Sequence, residues 1–142
     1  MSIELSAYIT APTLAWVVAQ TYKYVEQSLR ARTFKSASLL YKSGNMPSSH
    51  AALMLALLTV IAVKDGMGSA VFGVALALTM IVLYDAVNVR RSTGEQGQLL
   101  QKIAKKVDMQ PTFYMAMGHR LSEVIVGSLL GIVSGVVVLQ FM

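Results

Sequence analysis

The stretch GMGSAVFGVALALTMIVLY, residues 66–84, runs for 19 residues without an ionised side chain between Asp65 and Asp85. As a helix it would rise about 28 Å at 1.5 Å per residue, close to the roughly 30 Å thickness of a bilayer's hydrocarbon core. Working outward, three more charge-free intervals have a similar reach: 43–63 with 21 residues, 5–22 with 18 and 124–142 with 19, His50 being counted as neutral. The expected fold is all-α, a polytopic membrane bundle of about four transmembrane helices. The interval 43–63 opens on Gly44, Asn45 and Pro47, so its helix is expected from Pro47 to Val63, beginning near the membrane surface. No internal repeat divides the chain, and residues 1–142 read as a single integral-membrane domain.

Composition agrees. Of 142 residues, 55% are hydrophobic and 13% charged, against roughly half and about a quarter in a soluble domain. The absence of cysteine excludes disulfides, thiolate metal sites and a cysteine nucleophile. Twelve Lys and Arg face seven Asp and Glu, and their distribution is lopsided. Lys23, Arg30, Arg32, Lys35 and Lys42 lie between the first two spans, and Arg90, Arg91, Lys102, Lys105, Lys106 and Arg120 between the last two; Lys64 alone lies opposite. The positive-inside bias then puts both long connections in the cytoplasm and both termini outside. Met1 to Ala11 holds no Lys or Arg, so the first span is expected to be retained and not cleaved as a signal peptide. Leu99, Leu100, Ile103 and Val107 recur at helical spacing opposite Lys102, Lys105 and Lys106, which predicts an amphipathic interfacial helix against membrane lipids. The basic residues follow topology, so no nucleic-acid partner is expected.

Four polar groups converge on the cytoplasmic ends of the spans. Pro47-Ser48-Ser49-His50 opens the second, where unpaired N–H groups of a first helical turn and two hydroxyls suit an anion. Tyr84-Asp85-Ala86-Val87-Asn88-Val89-Arg90-Arg91 closes the third, with Glu95 and Gln96 a turn beyond. Asp85 is an ionisable group at a membrane helix end, and a regular helix pairs it poorly with Arg90 or Arg91 at i+5 or i+6, which leaves at least one guanidinium for a phosphate. Gly118-His119-Arg120-Leu121-Ser122-Glu123 opens the fourth; the spacing of four lets Glu123 accept from one ring nitrogen of His119 and make the other more basic. Lys23 ends the first span, with Gln20 on the same face. Each group taken singly also fits an interfacial anchor or a cap; their convergence is what points to a site. Gly127, Gly131 and Gly135, spaced by four, predict a close helix contact, either within the chain or in a homo-oligomer.

Met46-Pro47-Ser48-Ser49-His50, the Tyr84–Gln96 segment and Gly118-His119 followed by Glu123 resemble the divergent branch of the type-2 phosphatidic acid phosphatase superfamily, related to vanadium-dependent haloperoxidases. The resemblance covers roughly residues 15 to 135. It implies His119 as nucleophile, Glu123 as its orienter, His50 as general acid, and Lys23, Ser48, Ser49, Arg90 and Arg91 as phosphate ligands. Gln20, Asp85, Glu95 and Gln96 would support them. Ser49 stands where the wider family has glycine and Glu123 where it has aspartate; Phe113 occupies the place of its arginine, so that role passes to Arg90 or Arg91. Four spans also stand against the usual six helices.

The implied activity is hydrolysis of a lipid phosphate or diphosphate at the cytoplasmic face, through a phosphohistidine and without a metal or other cofactor. Two alternatives come from other classes: a hydrolase holding Mg²⁺ on Asp85, Glu95 and Glu123, or a non-enzymatic bundle that binds or moves lipid headgroups.

Overall fold

The computed structural model describes residues 6–31, 46–109 and 118–142. Arg32, Lys35, Lys42, Gly44, Asn45 and Phe113 lie outside the described residues. Among those described, all secondary structure is helical: α1 (Ala7–Ala31), α2 (Ser49–Lys64), α3 (Ala70–Tyr84), a π turn (Asp85–Val89), α4 (Arg90–Lys106) and α5 (Leu121–Phe141). The stretch from α3 through α4 is one continuous helix of 37 residues, and it and α5 are long and apolar enough to cross a membrane. α2 is apolar but has 16 residues. α1 has 25 residues, with Thr10, Thr13, Gln20, Thr21 and Lys23 among them, and does not meet that standard.

Two expectations shift here. The segment 99–107 is not a separate interfacial helix. Its helical part continues span three, because no proline interrupts Ala70–Lys106 and the π turn absorbs the irregularity without ending the helix. At about 55 Å, this helix far outreaches a hydrocarbon core, and Leu99, Leu100 and Ile103 stay exposed on α4. Secondly, α2 starts at Ser49 and not at Pro47: Ser48 is the N-cap, its backbone extended and its Oγ accepting from the Ala51 N–H at 3.4 Å.

Small residues set the packing. α2 lies against α1, α3 and α5, and α1 also meets α5. Ala7, Ala11, Ala15 and Ala19 make a four-residue ridge along α1 that is buried against Ala52, Ala56 and Val60 of α2. On the other flank, a Cβ on Gly127 would strike the Ser48 carbonyl oxygen and one on Gly131 that of Ala52, while one on Gly135 would lie 3.0 Å from that of Ala56. The glycine face is therefore packed on α2 of the same chain, the within-chain form of the close contact. Lipid gives apolar side chains no reason to bury, so helices there associate through close backbone approach between small residues. The complement is visible outside: Trp16, Val17, Leu78, Met80, Ile81, Leu129 and Val133 are all exposed.

Three hydroxyls bond within their own helices, Thr59 donating to the Leu55 carbonyl at 2.7 Å, Thr79 to Ala75 at 2.7 Å and Ser134 to Leu130 at 2.8 Å, whereas the buried Ser28 hydroxyl has no partner among the described residues. At the end of α2 the turn passes through Gly66 at φ +83°, a value glycine adopts freely, and Ser69 caps α3 by accepting from the Phe72 N–H at 3.1 Å. The Tyr8 hydroxyl donates to Asp65 at 2.7 Å there, so the start of α1 meets the end of α2. The two helices run antiparallel, and Lys23 arrives beside Ser49.

Candidate active site

His119 precedes α5 and is 3% exposed. Its Nδ1 lies 2.8 Å from Glu123 Oε2, which also accepts the Arg120 N–H at 3.2 Å. The expected pair thus forms, by a different geometry from that expected. Arg120 is an extended N-cap residue, and Glu123, three residues into the helix, reaches back to both groups. With Nδ1–H donating to the carboxylate, the lone pair of the ring sits on Nε2. Burial lowers the His119 pKa below the ordinary histidine value, the Glu123 hydrogen bond opposes that shift, and the Lys23 charge adds to it.

The main chain of His119 is anchored as well. Its N–H donates to the Ala86 carbonyl in the π turn at 3.0 Å, and a Cβ on Gly118 would collide with the backbone nitrogen of Arg91. Only glycine lets this segment lie so close to α4. Ala86 itself packs with Ala51 of α2 and Val124 of α5, the neighbours of His50 and Glu123.

The π turn also corrects the reading of the arginines. Arg90 N–H donates to the Asp85 carbonyl five residues back, and the same register brings Arg90 Nε within 2.6 Å of Asp85 Oδ2. Wider π winding makes i and i+5 neighbours, which a regular helix does not. Arg91 Nε donates to Glu95 Oε1 at 3.1 Å on the exposed side. Both guanidiniums therefore have a carboxylate at Nε.

Lys23 extends the alanine ridge of α1 by one more step of four and is 6% exposed. Its Nζ donates to Ser49 Oγ at 3.4 Å, the one hydrogen bond of that ammonium among the described residues, with Glu123 as the favourable charge nearby. His50 follows on the exposed side of α2, where the charges of Arg90, Lys23 and Asp85 and the ring of His119 act on it. Lys23, Ser49, His50, Asp85, Arg90, His119 and Glu123 thus form one electrostatic cluster. Beside it, a cleft of about 540 Å³ is lined by Arg91, Glu95, Gly118, His119 and Ser122.

Other expected residues are placed differently. Ser48 is fully buried; its N–H donates to the Glu123 carbonyl at 3.0 Å, and its hydroxyl accepts from the Ala51 N–H in the α2 cap, so it joins helices. Gln96 is exposed and donates to Ser92 Oγ at 3.4 Å, away from the cleft. Gln20 sits one turn before Lys23, half-buried. Asp85, Glu95 and Glu123 face Arg90, Arg91 and His119 respectively, and no three metal-binding groups gather among the described residues. Sequence reasoning missed the Ala86 carbonyl and the Arg120 N–H, both backbone groups that no residue identity advertises.

The pattern of the divergent PAP2 family matches residues 5–134. The chain belongs to that family. An uncharacterised membrane protein of Bacillus subtilis (strain 168), YuiD, is 32% identical over 143 residues, spanning 89% of this chain and 90% of the relative. No solved structure matches. For this divergent PAP2 protein, the apolar helices and the membrane-protein relative together indicate membrane association.

Proposed function

We propose that this divergent PAP2 protein hydrolyses a phosphate or diphosphate ester carried by a lipid, at the cytoplasmic face of a four-span bundle. The observation that carries the reading is the buried Lys23 ammonium beside the His119–Glu123 pair. Among the described residues this desolvated cation is hydrogen-bonded only to a hydroxyl, with the Glu123 charge nearby; a buried cation is costly unless well paired, and a phosphoryl oxygen would add an anionic acceptor next to a nucleophile. Two helices meet the length and apolarity of a span; α1 and α2 complete the four in this proposal. Ile9, Leu14, Trp16, Val17 and Val25 give α1 an apolar outer face.

In the first half-reaction Nε2 of His119 attacks phosphorus, the bond to the leaving oxygen breaks, and His50 delivers the proton that oxygen takes up. Water then attacks the phosphohistidine, His50 takes its proton, and phosphate departs with the P–N bond electrons returned to His119. Lys23, Ser49 and the Nη groups of Arg90 and Arg91 hold the equatorial oxygens as charge develops. Glu123 fixes the ring and stabilises it when charged. None of these steps requires a metal ion.

The test is phosphate release by the detergent-solubilised protein from a panel of lipid phosphates, with and without chelator. The parent should release phosphate in both conditions and His119→Ala in neither. Loss of activity in chelator would favour metal-dependent hydrolysis; tight binding without release would favour a headgroup-binding bundle.

A further inference from the structure

A second cavity, about 550 Å³, lies between α3 with its π turn and α5. Met80, Leu83 and Val87 form one wall, and Leu121, Ile125 and Leu129, at successive steps of four, form the other. No charged side chain lines it, whereas the His119 cleft is lined by Arg91, Glu95, His119 and Arg120. The two spaces have nearly equal volume and opposite chemistry, and both are bounded by Leu121.

We infer that the α3–α5 groove holds the hydrocarbon chain of the substrate whose phosphate is held beside His119. This rests on the phosphatase reading of the cleft and adds to it the surface that takes the lipid. From Leu121 to Leu129 the groove follows α5 for about 12 Å, from the polar end of the helix into its apolar length. A single-headed amphiphile fits that order: the anionic head goes to His119 and the cations clustered around it, and the tail runs along the groove from Leu121 onward. The rim is open to the surroundings, Met80 being 64% and Leu129 58% exposed, so the chain enters sideways from the bilayer and never crosses water. A water-soluble phosphate uses the cleft alone.

Two substitutions narrow the groove away from the cleft: Ser128→Phe on its floor and Leu129→Trp on its exposed rim. Val133→Trp, at an equally exposed position of α5 that lines neither cavity, serves as the control. Turnover of a long-chain lipid phosphate is compared with that of para-nitrophenyl phosphate in mixed micelles. Each narrowing variant should lower the ratio of kcat/KM, long-chain over aryl, by tenfold or more, while Val133→Trp keeps the parental ratio. Binding of a non-hydrolysable long-chain alkyl phosphonate, a readout that needs no turnover, should weaken by a similar factor in both narrowing variants. An unchanged ratio and unchanged phosphonate affinity in Leu129→Trp would overturn the inference, as would an equal loss on both substrates. A change of particle mass in that variant would instead assign the groove to a second copy. If the parent releases no phosphate but the phosphonate still binds in a groove-dependent way, the phosphatase reading fails alone.

Discussion

His119 and His50 are the only histidines of the chain, and the proposed chemistry divides the work between them unequally. Attack on phosphorus is needed for every substrate, so His119→Ala should abolish turnover and any acid-labile phosphoenzyme whatever the leaving group. Protonation matters only for a poor leaving group. His50→Ala should therefore depress hydrolysis of an alkyl phosphate about 10²- to 10⁴-fold more than that of an activated aryl phosphate, a comparison read from parallel kcat/KM values. Glu123 has a separate, measurable effect. Burial lowers the His119 pKa, whereas the hydrogen bond and charge of Glu123 raise it, so Glu123→Gln should move it lower still. NMR titration of the one remaining imidazole in a His50→Ala background reads that shift directly. The sign carries into the pH profile: the neutral ring is the nucleophile, so the acid limb set by His119 lies below about pH 6.5 in the parent and further down in Glu123→Gln, at a reduced plateau.

At the scale of elements, the site exists because three helix ends are clamped together by backbone contacts. α2 is held to α5 where the Ser48 N–H meets the Glu123 carbonyl, and His119 is held to the π turn where its N–H meets the Ala86 carbonyl. These contacts need the close approach that Gly118 and Gly127 permit. Further along the same α2–α5 seam, Gly131→Leu should force α2 away from α5, since even a Cβ collides with the Ala52 carbonyl oxygen. The expected cost is about 1–3 kcal/mol, measured by unfolding in detergent, with no change in particle mass because the seam lies inside one chain. A fall in mass with unchanged stability would instead locate that seam between copies. The π turn makes a different contribution: it converts an unfavourable i,i+5 spacing into the Asp85–Arg90 ion pair while keeping α3 and α4 one helix.

For the whole molecule, the arrangement is inside out relative to a soluble bundle, with alanine, glycine and serine at the helix seams and large apolar side chains on the outer surface. Orientation across the bilayer is a matter of charge. Eleven basic residues fall on one predicted side and one on the other, and setting aside Lys23, Arg90 and Arg91 as site residues still leaves eight against one. Single cysteines near Lys35 and Lys102 should therefore be shielded from an external impermeant thiol reagent in intact cells, while one at residue 2 should react. The cysteine-free chain makes each label unambiguous. External labelling of the two connections would put the site on the opposite face and change the pool of lipids it meets.

What the amino-acid sequence determined by itself was whatever depends on residue identity along one element. Charge-free runs of bilayer length announced helices, two of them long and apolar enough to cross a membrane, and the spacing of His119 and Glu123 announced their pairing. The presence of a histidine, a lysine and arginines near helix ends announced a cluster of polar and cationic groups. Tertiary structure decided what depends on backbone register and on which faces meet. It showed that Ser48 caps α2 and bonds to α5, and that the glycine stripe packs on α2 of its own chain. It also joined the amphipathic segment of α4 to span three. The π turn was invisible in advance because no local residue pattern demands i→i+5 bonding; it is held where Ala86 packs between α2 and α5 and its carbonyl accepts from His119. Distances between helices separated by tens of residues arise from such packing and not from periodicity, and for that reason the cluster was legible as a list of residues but not as a site.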